Sequence, residues 1–257
     1  VIQNEKGSFN GELYLSKNAE GAIYFYSPRI NKRCFAKGNH MKNLILFTMV
    51  FPGSGSIFNG EDATGLRLFC NTQERGLTTD AGPGFVSFSV GIETSLLLKW
   101  LEEEKLTPPH DWNFHIDYST ARNRKYIENY CLLIYSGLLQ GSISVPQLKH
   151  MVVSLLDHKS CSSIIRSSPN FNTIRLVTEF VIDQVNNSEK VCLEDMIEQT
   201  KGSQRTFFYN FKKYTGLSPM RFVKNTNLVE VHNRLKKADP LCSDVADIAT
   251  DHGFTHM

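Results

Sequence analysis

Between positions 201 and 237 the basic residues are Lys201, Arg205, Lys212, Lys213, Arg221, Lys224, Arg234, Lys236 and Lys237, and the one acid is Glu230. The formal charge of the whole chain is only +2, so most of its positive excess is concentrated in this stretch. Cations focused in this way suit contact with phosphates. Residue types beside them suit base edges: a guanidinium such as Arg205 can donate two parallel hydrogen bonds to guanine, and an amide such as Gln204 can pair with adenine. Phe208 and Tyr209 offer apolar contact to thymine methyl groups, while Ser203 and Thr206 offer hydroxyls to phosphate. Each has a plainer reading. The cations could be an ordinary solvated helical face, Phe208 could pack against a neighbouring helix, and Ser203 could simply cap one.

Other chemistries are poorly provided for. The eight histidines, at 40, 110, 115, 150, 158, 232, 252 and 256, form no H-x-H pair, and only His40 falls in strand-like sequence. A metal site would need such clustering. Neither a G-x-S-x-G elbow nor a phosphate-binding loop occurs. The expectation is a protein that is not an enzyme and needs no cofactor or metal. The six cysteines, at 34, 70, 131, 161, 192 and 242, contain no C-x-x-C and read as reduced, mostly buried thiols of a cytoplasmic protein. A redox sensor would instead require an exposed thiol of lowered pKa. No apolar run approaches the ~18 residues of a membrane span; the longest is Leu44 to Phe51. No basic segment followed by an apolar core opens the chain, and residue 1 is Val.

The elements that would hold these residues change character near position 91. Before it, GELYL, AIYFY, NLILFTMVF, SIF, LRLFC and FVSFSV read as short strands between turns such as Pro52-Gly53, Asn59-Gly60 and Gly82-Pro83-Gly84, which predicts a small barrel or sandwich. After it the period is helical: Ile92 to Lys105, Ser119 to Leu139 and Val145 to His158. The Ser-rich stretch 161–170 reads as a linker. Beyond it, Asn172 to Asn186 carries an apolar stripe of Ile174, Val177, Val181 and Val185. Leu193 to Thr200 opens with Glu194 and Asp195, which suit a helix N-terminus. Ser203 then caps Gln204 to Tyr214, whose Phe207, Phe211 and Tyr214 recur at i, i+4 and i+7. Gly216 closes that helix, Ser218 and Pro219 open the next, Met220 to Ala238, and Asp244 to His252 follows. Expected inward contacts of these last two helices include Phe222, Val223, Leu228, Val231, Leu235, Val245, Ile248 and Ala249.

The ordered motifs S-x-R-T-F-x-x-x-F-K (203–212), Y-x-G-x-S-P (214–219), the Arg234-Leu235 pair and D-I-A-x-x-x-G-F (247–254) resemble the DNA-binding domain of the AraC/XylS family of transcription regulators. The resemblance covers about a third of the chain, from position 170 onward. It implies an α+β protein with an N-terminal cupin-like β-barrel sensor and trailing helices over 1–160, a linker over 161–170, and an all-α DNA-binding domain over 171–257. That domain would hold one complete helix-turn-helix and a second cut short at Met257, where its recognition helix should begin. The sequence departs from the family pattern at Ile197, where a small residue is usual, at Gly202, a displaced turn glycine, and at Asn227, where an arginine is usual.

Implied partners are double-stranded DNA, RNA polymerase if the protein activates, a small-molecule effector and a second copy of the chain, with no membrane. The DNA-contacting set would be Ser203, Gln204, Arg205, Thr206, Phe208, Tyr209, Lys212, Lys213, Arg221 and Lys224. Candidates for the effector pocket are Tyr24, Tyr26, Arg29, Arg33, Phe47, Phe58, Arg67 and Phe69, with at least one of the three arginines expected on its wall. The alternative to a DNA-binding regulator is a dimerising or ligand-binding protein whose shortened form does not bind DNA.

Overall fold

The computed structural model describes residues 1–257 apart from 5–7, 9, 19–21, 39–42, 52–54, 64–66, 73–76, 118–128, 136–143, 158–168, 201, 238–244 and 255–257. The chain is a mixed α and β protein built on two antiparallel sheets. The larger has the strand order β11-β8-β5-β10-β3-β2. Its strands are β2 (Gly11–Lys17), β3 (Ile23–Ile30), β5 (Leu44–Val50), β8 (Arg67–Thr72), β10 (Phe85–Glu93) and β11 (Phe114–Asp117). The smaller runs β1-β4-β9-β6-β7, from β1 (Ile2–Gln3), β4 (Cys34–Gly38), β6 (Ile57–Phe58), β7 (Glu61–Asp62) and β9 (Leu77–Ala81). Among the described residues the two sheets share no strand pairing, and no closed barrel is found.

Alternation explains the larger sheet. In β3, Ile23 and Phe25 are buried on one face while Tyr24 and Tyr26 stand on the other. β5 is buried at every residue, as a central strand covered on both faces must be. One face of this sheet, with Phe25, Phe47, Met49, Leu68, Val90 and Ile92, packs on α1 (Thr94–Glu103) and α2 (Val145–Asp157) through Leu97, Trp100, Leu148 and Val152. The expected helix start at Ile92 is displaced because Gly91, Ile92 and Glu93 are still paired with Leu46, Ile45 and Leu44 of β5. Of the expected helix 119–139, residues 129–135 are helical and the remainder lies outside the described residues. Within it, the Tyr130 hydroxyl donates to the Phe47 carbonyl at 2.5 Å.

From Pro169 on, the described residues contain helix and no strand. The helices are α3 (Pro169–Asn186), α4 (Leu193–Glu198), α5 (Gln204–Thr215), α6 (Pro219–Lys237) and α7 (Val245–Asp251). The linker positions 161–168 lie outside the described residues, whereas Pro169 and Asn170 already belong to α3. Proline is well suited to a first helical position, where no N–H is needed.

The helical core gathers Ile174, Val177, Val181, Met196, Phe207, Phe211 and Phe222. Rings meet edge to face, at 5.4 Å for Phe207 and Phe211 and 5.4 Å for Phe211 and Phe222. Six expected inward residues are not in it: Leu228 is 48% exposed and Val245 56%, and Val231, Leu235, Ile248 and Ala249 are half-buried outside this core. Burial on α6 is confined to Pro219, Phe222, Val223 and Thr226 in its first half, and α7 buries none of its residues.

The two halves share this core. Ile2 of β1 and Phe35 of β4 are buried in it, with Phe35 edge-on to Phe222 at 5.3 Å. Asn4 Nδ2 donates to the Thr215 carbonyl at 2.9 Å, and Asn225 Nδ2 donates to the Gln3 carbonyl at 2.9 Å.

Candidate nucleic-acid interface

Helix α5 begins at Ser203, whose extended backbone and side-chain oxygen make it the cap: Oγ accepts from the Thr206 N–H at 3.2 Å. The Ser203 and Thr206 hydroxyls also bond to each other at 2.9 Å. The helix ends at Gly216, which has φ +73° and donates its N–H to the Lys212 carbonyl at 2.9 Å. Such a left-handed terminus favours glycine because a Cβ crowds the following carbonyl.

Between these caps the apolar residues Phe207, Phe211 and Tyr214 turn inward together with Asn210 and Thr215. The opposite side is open. Gln204, Arg205, Thr206 and Lys212 are exposed, and Tyr209 is 71% exposed despite its ring. The first turn of α5 therefore presents Gln204 and Arg205 to solvent on a rigid support, with Tyr209 and Lys212 further along.

The remaining sequence candidates divide. Lys224 on α6 is exposed. Phe208 is half-buried, its ring 5.8 Å from that of Phe207 at the rim of the core, so it is withdrawn from the open face. Lys213 lies over the Tyr214 ring, 5.0 Å from its centroid, and its charge reaches Glu61 of β7. Burial pushes the Glu61 carboxyl above the usual carboxylate range, and Arg67 and Lys213 pull it back. Arg221 Nη2 donates to the Asn4 carbonyl at 3.3 Å. Lys213 and Arg221 are thus turned toward the β-rich half.

A second candidate site is a cavity of about 310 Å³ between the sheets. Tyr26 and Phe58 line it, with Leu46, Phe85, Ser87, Ser89 and Lys37. The three arginines expected there lie elsewhere. Arg29 is one residue out of phase with Tyr26, Pro28 and Ile30, so it points from the other face and stacks over Tyr14 at 5.3 Å. Arg33 forms a two-pronged pair with the buried Asp80, Nη2 to Oδ2 at 2.5 Å and Nε to Oδ1 at 3.1 Å. Arg67 donates to the Asp62 carbonyl at 2.6 Å.

Phe47 is packed on the helical side of the larger sheet. Phe69 stacks on Phe58 at 4.8 Å, and Tyr24 is half-buried outside the cavity. Lys37, missed by sequence reading, is the cation on the wall, and its ammonium meets Glu179 of α3 at 3.2 Å. No motif marks it, and its strand is polar and pairs only with distant segments, so the sequence carried no signal for it. Tyr26 has its phenol raised by burial. The Cys34 thiol is pushed up to about 11, also by burial, and that of Cys70 rises for the same reason. Both therefore remain protonated and lack the lowered pKa a reactive thiol needs.

No family model matches the chain. It is 26% identical over 107 residues to the XylDLEGF operon transcriptional activator 2 of Pseudomonas putida, a match covering 42% of this chain and 65% of that protein. The match to the HTH-type transcriptional activator RhaS of Salmonella paratyphi A is 24% over 234 residues, covering 85% of this chain and 80% of that protein. The chain thus spans a little under two thirds of the first relative and four fifths of the second. Among solved structures, the AraC-like transcriptional activator CuxR gives a TM-score of 0.36 at 14% identity, covering 88% of this chain and 82% of that one. ToxT from Vibrio cholerae O395 gives 0.32 at 12% identity, covering 97% and 90%.

A capped helix with an exposed polar and basic first turn, packed in a helical bundle, is the arrangement by which helix-turn-helix proteins present a recognition helix. The sequence relatives are transcriptional activators, and the ordered motifs of the last third resemble the DNA-binding domain of the AraC/XylS family.

Proposed function

We propose that this protein is a sequence-specific DNA-binding transcriptional activator in which α5 lies in the major groove and an effector in the β-rich half controls it. The observation that carries the reading is the first turn of α5, where Gln204 and Arg205 stand exposed opposite the buried stripe of Phe207, Phe211 and Tyr214. A recognition helix reads base edges with such N-terminal residues. In this reading Arg205 pairs with a guanine and Gln204 with an adenine, Tyr209 adds an apolar contact, and Lys212 and Lys224 meet phosphates. Lys213 and Arg221 serve the junction between the two halves in the conformation described here.

The two sheets act as an open, cupin-like sensor. Its cavity of about 310 Å³ is at the lower end of the size range for small-molecule pockets, and its mostly apolar wall with few polar groups is typical of them. α6 joins the first helix-turn-helix to a second, of which α7 is the opening helix. Two copies bound to adjacent half-sites, with RNA polymerase alongside, would complete an activating assembly.

The test starts with duplexes selected by the protein from a random-sequence pool. Arg205→Ala should weaken binding to the selected site by ~1–3 kcal/mol and relax preference at one base position. Lys224→Ala should weaken selected and random duplexes alike and reduce the salt dependence. Equal loss on both duplexes for Arg205→Ala would remove it from the reading face.

A further inference from the structure

A cavity of about 30 Å³ lies where the larger sheet, the β6–β7 hairpin and the beginning of α3 meet. Since ~10–15 Å³ of such space holds one water, the chamber has room for about two or three waters, or for a compact ligand of about that size. Its polarity is set by a short chain of hydrogen bonds. The Thr78 N–H donates to Asn59 Oδ1 at 2.8 Å, which leaves Asn59 Nδ2 to donate to Asn71 Oδ1 at 2.7 Å. Asn71 must then present its own amide NH2 elsewhere. The residue is only 5% exposed, it lines the cavity, and its Nδ2 has no acceptor among the described residues.

Arg175 of α3 also lines the cavity. Its Nη1 is committed to Glu179 at 2.7 Å, while its Nε is buried with no acceptor among the described residues. A buried donor left unmatched is costly, so two of them, one cationic, facing the same chamber point to an acceptor between them. Asn172, in the first turn of the eighteen-residue α3, is on the wall as well, so the partly positive end of that helix is turned toward the space. The one acid among the lining residues, Glu61, is opposed by Arg67 and Lys213.

We propose that this chamber binds a small planar oxyanion of formate or nitrate size, whose oxygens accept from Asn71 Nδ2 and Arg175 Nε. Asn71 belongs to the sheet and Arg175 to the helical half, so one ligand would tie the two together. The site is separate from the larger cavity between the sheets, and its binding chemistry does not depend on the DNA-binding reading.

Titration calorimetry and thermal melting of the whole chain with sodium nitrate and sodium formate, against sodium chloride at equal ionic strength, test the proposal. Saturable binding and a rise in Tm are expected for nitrate and formate. Butyrate, whose carboxylate is the same but whose tail exceeds the chamber, should act no differently from chloride. Asn71→Asp replaces the donor by an acceptor and should weaken binding at least tenfold. Arg175→Lys keeps the charge at a partly exposed position but removes Nε, and it should also weaken binding at least tenfold with the fold intact. Three results would overturn the site: no response beyond chloride, equal binding of butyrate, or wild-type affinity in Arg175→Lys.

Discussion

Replacing Gly216 with alanine tests the junction and the end of the reading helix together. At φ +73° an added Cβ would lie 2.7 Å from Asn4 Nδ2 and 3.0 and 3.1 Å from the two Asp80 carboxylate oxygens. The left-handed backbone alone costs a non-glycine residue ~1–2 kcal/mol. The contact with Asn4 adds to it, because that amide must withdraw from the Thr215 carbonyl it meets at 2.9 Å, forfeiting a net ~0.5–1.5 kcal/mol. The expected loss is about 2–3 kcal/mol, read by urea denaturation followed by circular dichroism.

Gly84→Ala is the internal control. Its φ is +74°, with nothing within 4 Å of the added Cβ, so it should lose only the backbone part. In an Asn4→Ala background the cost of Gly216→Ala should fall toward that of Gly84→Ala, since residues in contact do not act additively. If Gly216→Ala costs no more than Gly84→Ala in the wild-type background, the close approach of Asn4 and Asp80 to the end of α5 is not a stabilising contact.

Phe171→Ala, at a residue buried between α3 and the β6–β7 turn, should lose ~3–5 kcal/mol of stability by denaturant titration. Gly60→Ala should destabilise the same contact, because its Cβ would fall 2.3 Å from the Phe171 ring at φ +83°; limited proteolysis should then cut the chain faster between its halves. His252 has its pKa lowered first by burial and then by the Arg234 charge, and its Nε2 has no partner among the described residues. The unfolded chain therefore takes up the proton more readily than the folded one. The stability of the α7 region should be full above the ordinary histidine value of about 6.5 and fall as pH drops through it. Hydrogen exchange at pH 7.5 and 5.5 should show this loss in the wild type and a flatter response in His252→Gln.

The helical third was legible in the sequence because its determinants are local. Ser203, Gly216 and Pro219 act through the backbone of their own turns, and the i, i+4, i+7 spacing of Phe207, Phe211 and Tyr214 can face only one way. That spacing also put Gln204, Arg205, Tyr209 and Lys212 on the opposite, exposed side. Of the strands, β3 and β10 were legible from their alternation and β5 and β8 from their short apolar runs. The polar β4, β9 and β11 were not, because nothing in CFAKG, LTTDA or FHID announces a strand until a distant partner supplies the ladder.

Charge and aromatic type alone nominated Arg29, Arg33 and Arg67 for the pocket. Strand phase, the buried carboxylate of Asp80 and the Asp62 carbonyl took them elsewhere, and Lys37 stands on the wall instead. Phe208 and Tyr209 are adjacent aromatics with opposite fates, because only the packing of Phe207 against its neighbours decides which ring reaches the core. The junction depends still more on the fold, since Asn4 and Thr215 are joined by a hydrogen bond across 211 positions of the chain. Local spacing determines which way a side chain leaves its own helix or strand; which partner it then meets depends on contacts between segments far apart in sequence, and those exist only once the chain has folded.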